Sequence, residues 1–126
     1  MFGDVTAFSG FAVDDFGAAK DFYTETLGIK TTVLDEASGM MMLHLAGDRD
    51  TLVYAKPDFT PATYTILNFQ VDDVAAAVDE LNARGVTMER YDGFDQDDKG
   101  VARGQGPDIA WFKDPAGNIL SILTQS

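Results

Sequence analysis

The 126-residue chain has no cysteine, a single histidine and only nine lysines and arginines against 21 aspartates and glutamates. Without cysteine there is no disulfide framework, thiolate zinc site or cysteine nucleophile. His44 stands alone, so one chain cannot build a multi-histidine metal centre. The shortage of cations leaves a net charge of −12. Phosphate backbones repel such a surface, because their recognition needs a basic stripe. Nucleic acid is therefore not an expected partner. No apolar run approaches the ~18 residues of a membrane span, and the opening MFGDVTAF has neither the basic nor the apolar region of a secretory signal. The expectation is a soluble, cytoplasmic protein with no membrane partner.

What is present fits one folded domain over residues 1–126. Apolar residues make up 45% and charged residues 24% of the chain, which separates it from disordered sequences. A chain of this length buries roughly two-thirds of its unfolded surface, so it needs no staple. The acidity serves solubility, and it can also concentrate a cationic ligand.

The chain repeats itself. Phe11-Ala-Val-Asp-Asp-Phe-Gly-Ala-Ala returns 58 residues later as Phe69-Gln-Val-Asp-Asp-Val-Ala-Ala-Ala. Leu27-Gly28-Ile29 is echoed, after a one-residue gap, by Arg84-Gly85-Val86. Each copy reads as a strand (near 5–13 and 63–71), then a helix opened by Asp14 or Asp15 and by Asp72 or Asp73, whose carboxylates can accept the free N–H groups of a first turn. Phe16, Ala19, Phe22, Tyr23 and Thr26 form the apolar stripe of the first helix, and Val74, Ala77, Val78 and Leu81 that of the second. Gly28 and Gly85 stand where a left-handed cap would end them. Strands are expected near 29–36, 40–46 and 51–56, and again near 86–91, 108–113 and 118–124. Two βαβββ modules follow, 1–60 and 61–126, with Pro57–Pro61 as linker. The expected architecture is α+β: a curved eight-stranded sheet with helices on its outer face and a cup on the other.

FYTETLGIK after the first helix and WFKDPAGNILSIL near the end resemble the vicinal oxygen chelate superfamily, which holds glyoxalase I, bleomycin-resistance proteins, fosfomycin-resistance enzymes and extradiol dioxygenases. The resemblance covers essentially the whole chain. It implies the paired-module fold and a homodimer, but not one activity, because the fold hosts several. In the metal-dependent members, up to four His, Glu or Gln ligands project into the cup from the first and last strand of each module. Counting from Val-Asp-Asp and from DPAGN places these positions at Phe8, Tyr54, Ile66 and Ser121. A divalent cation needs three or four N, O⁻ or S⁻ donors, and two of these residues are hydrocarbon while the others are a phenol and an alcohol. Shifting the register by one residue does not supply a donor set. No metal and no cofactor are expected.

Strand alternation then gives a lining for the cup. Ile66, Asn68 and Gln70 share one face, with Leu67, Phe69 and Val71 on the other. Phe8, Gly10 and Ala12 line the first strand, and Ile119, Ser121 and Leu123 the last. Trp111 resembles an aromatic position that contacts ligand in several family members. Phe8, Tyr54, Ile66, Asn68, Gln70, Trp111, Ser121 and His44 are thus the candidate ligand-binding set, suited to a flat organic guest held by rings and a few polar groups. Alternatively, the same rings simply plug the cup.

Other signals carry two readings each. His44, in Met40-Met-Met-Leu-His-Leu, is a general base or ligand anchor, or a hydrogen-bonded structural residue. The methionines are core packing or an adaptable pocket wall. The acidic, glycine-rich stretch 92–106 is long enough for a lid or a mobile edge. It is no calcium loop, because Lys99 and Gly106 occupy ligand places. Lys99 and Arg103 are expected to pair with the surrounding aspartates rather than clamp an anion. Ser-His-Asp, GxSxG, P-loop and dinucleotide motifs are absent.

The resemblance is closest to the metal-free, bleomycin-resistance-like branch. It implies a protein that sequesters a small organic molecule, cationic and aromatic in the form that suits the charge, without transforming it. A divergent metal-dependent lyase, isomerase or dioxygenase is the alternative, and an interaction module with a filled cup the third.

Overall fold

The computed structural model describes residues 1–104 and 106–124. Gln105, within the acidic stretch, lies outside the described residues. The chain divides into two compact units, Met1–Pro61 and Ala62–Ser126.

In the first unit, β1 (Ser9–Val13) leads into α1 (Phe16–Asp21), followed by β2 (Thr31–Asp35), β3 (Met40–Leu45) and β4 (Arg49–Ala55). The sheet order is β1-β4-β3-β2, with β1 parallel to β4 and the other pairs antiparallel. Asp15 caps α1, its carboxylate accepting the Ala18 N–H at 3.1 Å. The expected helical stripe assumed uninterrupted α spacing. Instead α1 widens into a π-helical segment, Phe22–Thr26, where the Leu27 N–H donates to the Phe22 carbonyl at 2.9 Å. The wider turn lets consecutive Phe22 and Tyr23 both reach the core, their rings edge-to-face at 5.2 Å. Tyr23 also meets Phe11 of β1 at 5.6 Å. Phe11, Val53 and Met41 form one cross-strand row and are all buried, so this face of the sheet packs against the helix.

The second unit runs β5 (Thr65–Val71), α2 (Val74–Ala83), β6 (Ile109–Lys113) and β7 (Ile119–Thr124), in sheet order β5-β7-β6. Its helix cap repeats the first at the sequence period: Asp73 accepts the Ala76 N–H at 3.1 Å. Val74, Val78 and Leu81 of α2 are buried with Phe112, Leu120 and Ile122 of the sheet. Burying apolar side chains of this size contributes about 1.5–3 kcal/mol each. The β6–β7 turn is locked by its own side chains, because buried Asp114 accepts the Asn118 N–H at 2.8 Å. Asn118 in turn accepts the Ala62 N–H at 3.2 Å, which ties the turn to the start of the unit. The DPAGN signature is thus structural.

The α+β architecture agrees with the sequence, but the strand count does not. Where eight strands are expected, the described residues hold seven, in a sheet of four and a sheet of three. Residues 86–91 contribute one isolated bridge, Met88 to Phe112, and one bond from the Glu89 N–H to the Trp111 carbonyl at 2.8 Å. The side-chain amide of Gln96 takes the next backbone groups instead. It accepts the Tyr91 N–H at 2.8 Å and donates to the Glu89 carbonyl at 3.1 Å, which ends the ladder. No helix among the described residues is long and apolar enough to cross a membrane.

Candidate functional site

Five of the predicted site residues fall in the second unit. Register places Asn68 of β5, Ser121 of β7 and Trp111 of β6 in one row across the sheet, on the face away from α2. Ser121 has no exposed surface, and its hydroxyl donates to the Asn68 side-chain oxygen at 2.5 Å. That bond engages the oxygen of the exposed Asn68 amide and leaves its two N–H groups as donors for other partners. Gln70 lies one row on, beside Leu123. Ile66 is the extra residue of a bulge, because Thr65 pairs with Ile119 and Leu67 already with Leu120.

Trp111 is 8% exposed because two aromatic residues from the stretch 86–108 pack on it. Tyr91 stands nearly perpendicular at 5.5 Å, and Phe94, itself 45% exposed, tilts over it at 4.9 Å. The Tyr91 hydroxyl is buried with no hydrogen-bond partner among the described residues. Burial first, and the nearby Glu89 charge second, push the Tyr91 phenol up. An unmet buried donor costs about 1–3 kcal/mol, so an incoming acceptor at this atom would gain. Sequence reasoning missed Tyr91 and Phe94. Their one available signal was two rings in an otherwise acidic, glycine-rich stretch.

That stretch is laced rather than loose. Asp97 accepts the N–H groups of Val101 and Lys99, each at 2.9 Å. The Val101 bond is foremost in holding its carboxyl below the usual range, against the effect of burial. Lys99 reaches both oxygens of Asp79 on α2 at 2.8 Å, and Arg103 bonds Asp108 at 2.6 Å and Asp97 at 3.4 Å. The two cations pair with aspartates, one of them on the helix rather than in the loop.

Phe8, Tyr54 and His44 belong to the first unit. Phe8 precedes β1 and is 62% exposed. Tyr54 is half-buried, paired with Ala12 and Met40. By register, the residue that stands to Gly10 as Ser121 stands to Asn68 is Leu52, not Tyr54. Only Met41 of the methionine triplet is fully buried; Met40 and Met42 occupy the face away from the helix. His44 shares that face, bonded through Nδ1 to Asp50 at 3.0 Å and through Nε2 to Thr32 at 2.7 Å. These partners were not foreseen, although the short turn between β3 and β4 sets Asp50 opposite His44.

A divalent metal does not fit the counted positions. Phe8 and Ile66 have no donor atom, Ser121 is a neutral alcohol whose hydrogen is held by Asn68, Tyr54 is a neutral phenol, and Leu52 is as inert as the hydrocarbon pair. Among the described residues no three His, Cys, Asp or Glu side chains gather into an ion-holding group.

The sequence model of the Glyoxalase/Bleomycin resistance protein/Dioxygenase superfamily matches residues 5–122. Among solved structures, the chain is similar to TnmS3, an antibiotic binding protein from Streptomyces sp. CB03234, at 26% identity and a TM-score of 0.73, covering 98% of each chain. A glyoxalase/bleomycin resistance protein from the same organism matches at 26% identity and a TM-score of 0.66, over 94% of this chain and all of the other. The fosfomycin resistance protein FosX from Listeria monocytogenes shares the fold at 16% identity and a TM-score of 0.72, over 98% and 94% of the two chains. No curated protein matches. With nearly its full length matched and its two-unit α+β fold described, the chain belongs to the Glyoxalase/Bleomycin resistance protein/Dioxygenase superfamily.

Proposed function

We propose that this chain is a metal-free small-molecule-binding protein that sequesters a flat organic guest, in the manner of an antibiotic- or drug-binding protein, and does so as a cytoplasmic homodimer. The observation that carries the reading is the row Asn68–Ser121–Trp111, with Tyr91 and Phe94 packed on the indole. It offers ring area for stacking, amide donors from the exposed Asn68 and one unmet phenol donor. Those are the ingredients of a site that orients an aromatic molecule bearing acceptor groups. The net charge of −12 favours a guest that is also cationic. Likeness to an antibiotic binding protein at 26% identity lends further support. Gln70 and Ile66 of the same sheet complete the proposed contact set.

Trp111 is the only tryptophan, so its emission reports on this row alone. Titration with a panel of planar aromatic cations, an aminoacridine first, is expected to quench it saturably. N68A is expected to weaken binding by about 1 kcal/mol, the net worth of a hydrogen bond. Unchanged emission across the panel would overturn the reading. Sedimentation equilibrium tests the dimer.

A further inference from the structure

Binding of a guest leaves one arrangement without a use, the hydrogen-bonded chain Thr32–His44–Asp50 on the first unit's sheet. A carboxylate can only accept, so in the neutral imidazole the proton sits on Nδ1 and is donated to Asp50 at 3.0 Å. Nε2 is then left with its lone pair, and accepts the Thr32 hydroxyl at 2.7 Å. A hydroxyl, a base and a group that fixes the base's tautomer therefore stand in line, each within bonding reach of the next. This is the relation by which an alcohol becomes a nucleophile, recognised by geometry and roles rather than by residue order. It escaped the sequence because its members lie on three strands and the alcohol is a threonine.

We propose that Thr32, His44 and Asp50 form an acyl-transfer site for carboxylic esters of aromatic alcohols, a hydrolytic activity beyond the retention of a guest. Thr32 Oγ1 adds to the ester carbonyl carbon while its proton passes to His44 Nε2. Collapse of the adduct breaks the bond to the aryl oxygen, which leaves with that proton. Water then gives a proton to Nε2 and adds its oxygen to the acyl carbon. The acid departs, and the proton returns from Nε2 to Thr32. Nothing is oxidised or reduced, and water is the sole co-reactant.

The surroundings suit that substrate. The His44 and Asp50 side chains are 38% and 49% exposed, so an ester reaches them directly. Met42 and Leu52, half-buried in the same cross-strand row as Thr32, provide an apolar bed for the aryl group. β2 is the last strand in its sheet order. Because the His44 N–H donates to the Lys30 carbonyl at 2.8 Å, the alternation of an antiparallel ladder turns the Val33 N–H away from β3. That N–H, next to the nucleophile, is the donor for the developing oxyanion. Thr32 and His44 touch substrate and are catalytic; Asp50 acts through His44 and is a positioning residue.

The test is hydrolysis of p-nitrophenyl acetate by the full chain, followed by nitrophenolate release and by mass spectrometry of the acetylated peptide. The expected result is a burst of nitrophenolate with acetyl on Thr32. T32V and H44Q are each expected to lower release by about 100-fold, within the usual contribution of a general base. The double variant should lose no more than either alone, as groups acting as a unit do. T32S keeps an alcohol and should keep the burst. D50N should lower kcat while leaving KM unchanged, and D50E should restore part of it. Wild-type release in T32V, acetyl only on lysines or the N-terminus, or a rate no greater than that of equimolar imidazole would each overturn the proposal. Aminoacridine binding reported by Trp111 is a separate readout, so the two readings stand or fall independently.

Discussion

Ser121 is fully buried, yet its hydroxyl is not stranded, because Asn68 on the neighbouring strand accepts it. Removing it in S121A should lower stability by about 1 kcal/mol, the net value of such a bond, since the freed Asn68 oxygen can turn to water. Urea unfolding measures this. Phe94 plays a different part. It covers Trp111 while remaining 45% exposed, so F94A should redden Trp111 emission with little loss of stability. An unshifted spectrum would mean that Phe94 does not shield the indole. At this scale the sequence was legible where alternation alone decides a side, as for Asn68 and Trp111. It was not legible for Ile66, because a bulge breaks the alternation there. Nor could it reveal Tyr91, which reaches Trp111 through a turn that no periodicity encodes.

Among the elements, the turn between β2 and β3 and the laced loop of the second unit make the clearest demands. Gly39 has φ +77°, and a Cβ added there would stand 2.9 Å from the Ala55 Cβ and 3.1 Å from the Phe16 Cβ. Left-handed backbone costs a residue with a side chain roughly 1–2 kcal/mol, and overpacking adds to it. G39A should therefore lower stability by about 2 kcal/mol or more in the same urea assay. The loop is sensitive to acid through Asp97. Its carboxyl is held below the usual range, so its contribution is complete above the ordinary carboxylate pKa of about 3.9 and fades as pH falls through the lower folded value. Trp111 emission followed downward from neutral pH should show this step in the wild type and lack it in D97N. An identical acid profile in both would remove Asp97 from the account. Both helix caps were readable, since aspartate before a small-residue stretch has one obvious task. The π-helical segment and the missing strand at 86–91 were not. Each depends on a tertiary demand, two rings seeking the core and a glutamine amide taking backbone groups.

For the whole molecule, the duplicated segment made the βα opening of each unit visible from the sequence. Asp15 and Asp73 cap their helices 58 residues apart, and Val13 and Val71 close their first strands at the same interval. Activity was less visible, because the fold serves many chemistries and the distinguishing groups meet only across strands. The aromatic guest is proposed to be held without a metal. Calorimetric titration with an aminoacridine, in the presence of a chelator and again with added zinc or manganese, tests it most directly. Saturable binding of equal affinity is expected in both conditions, weakened by salt as the charge attraction is screened. Binding that vanishes with the chelator and returns with the metal would contradict it.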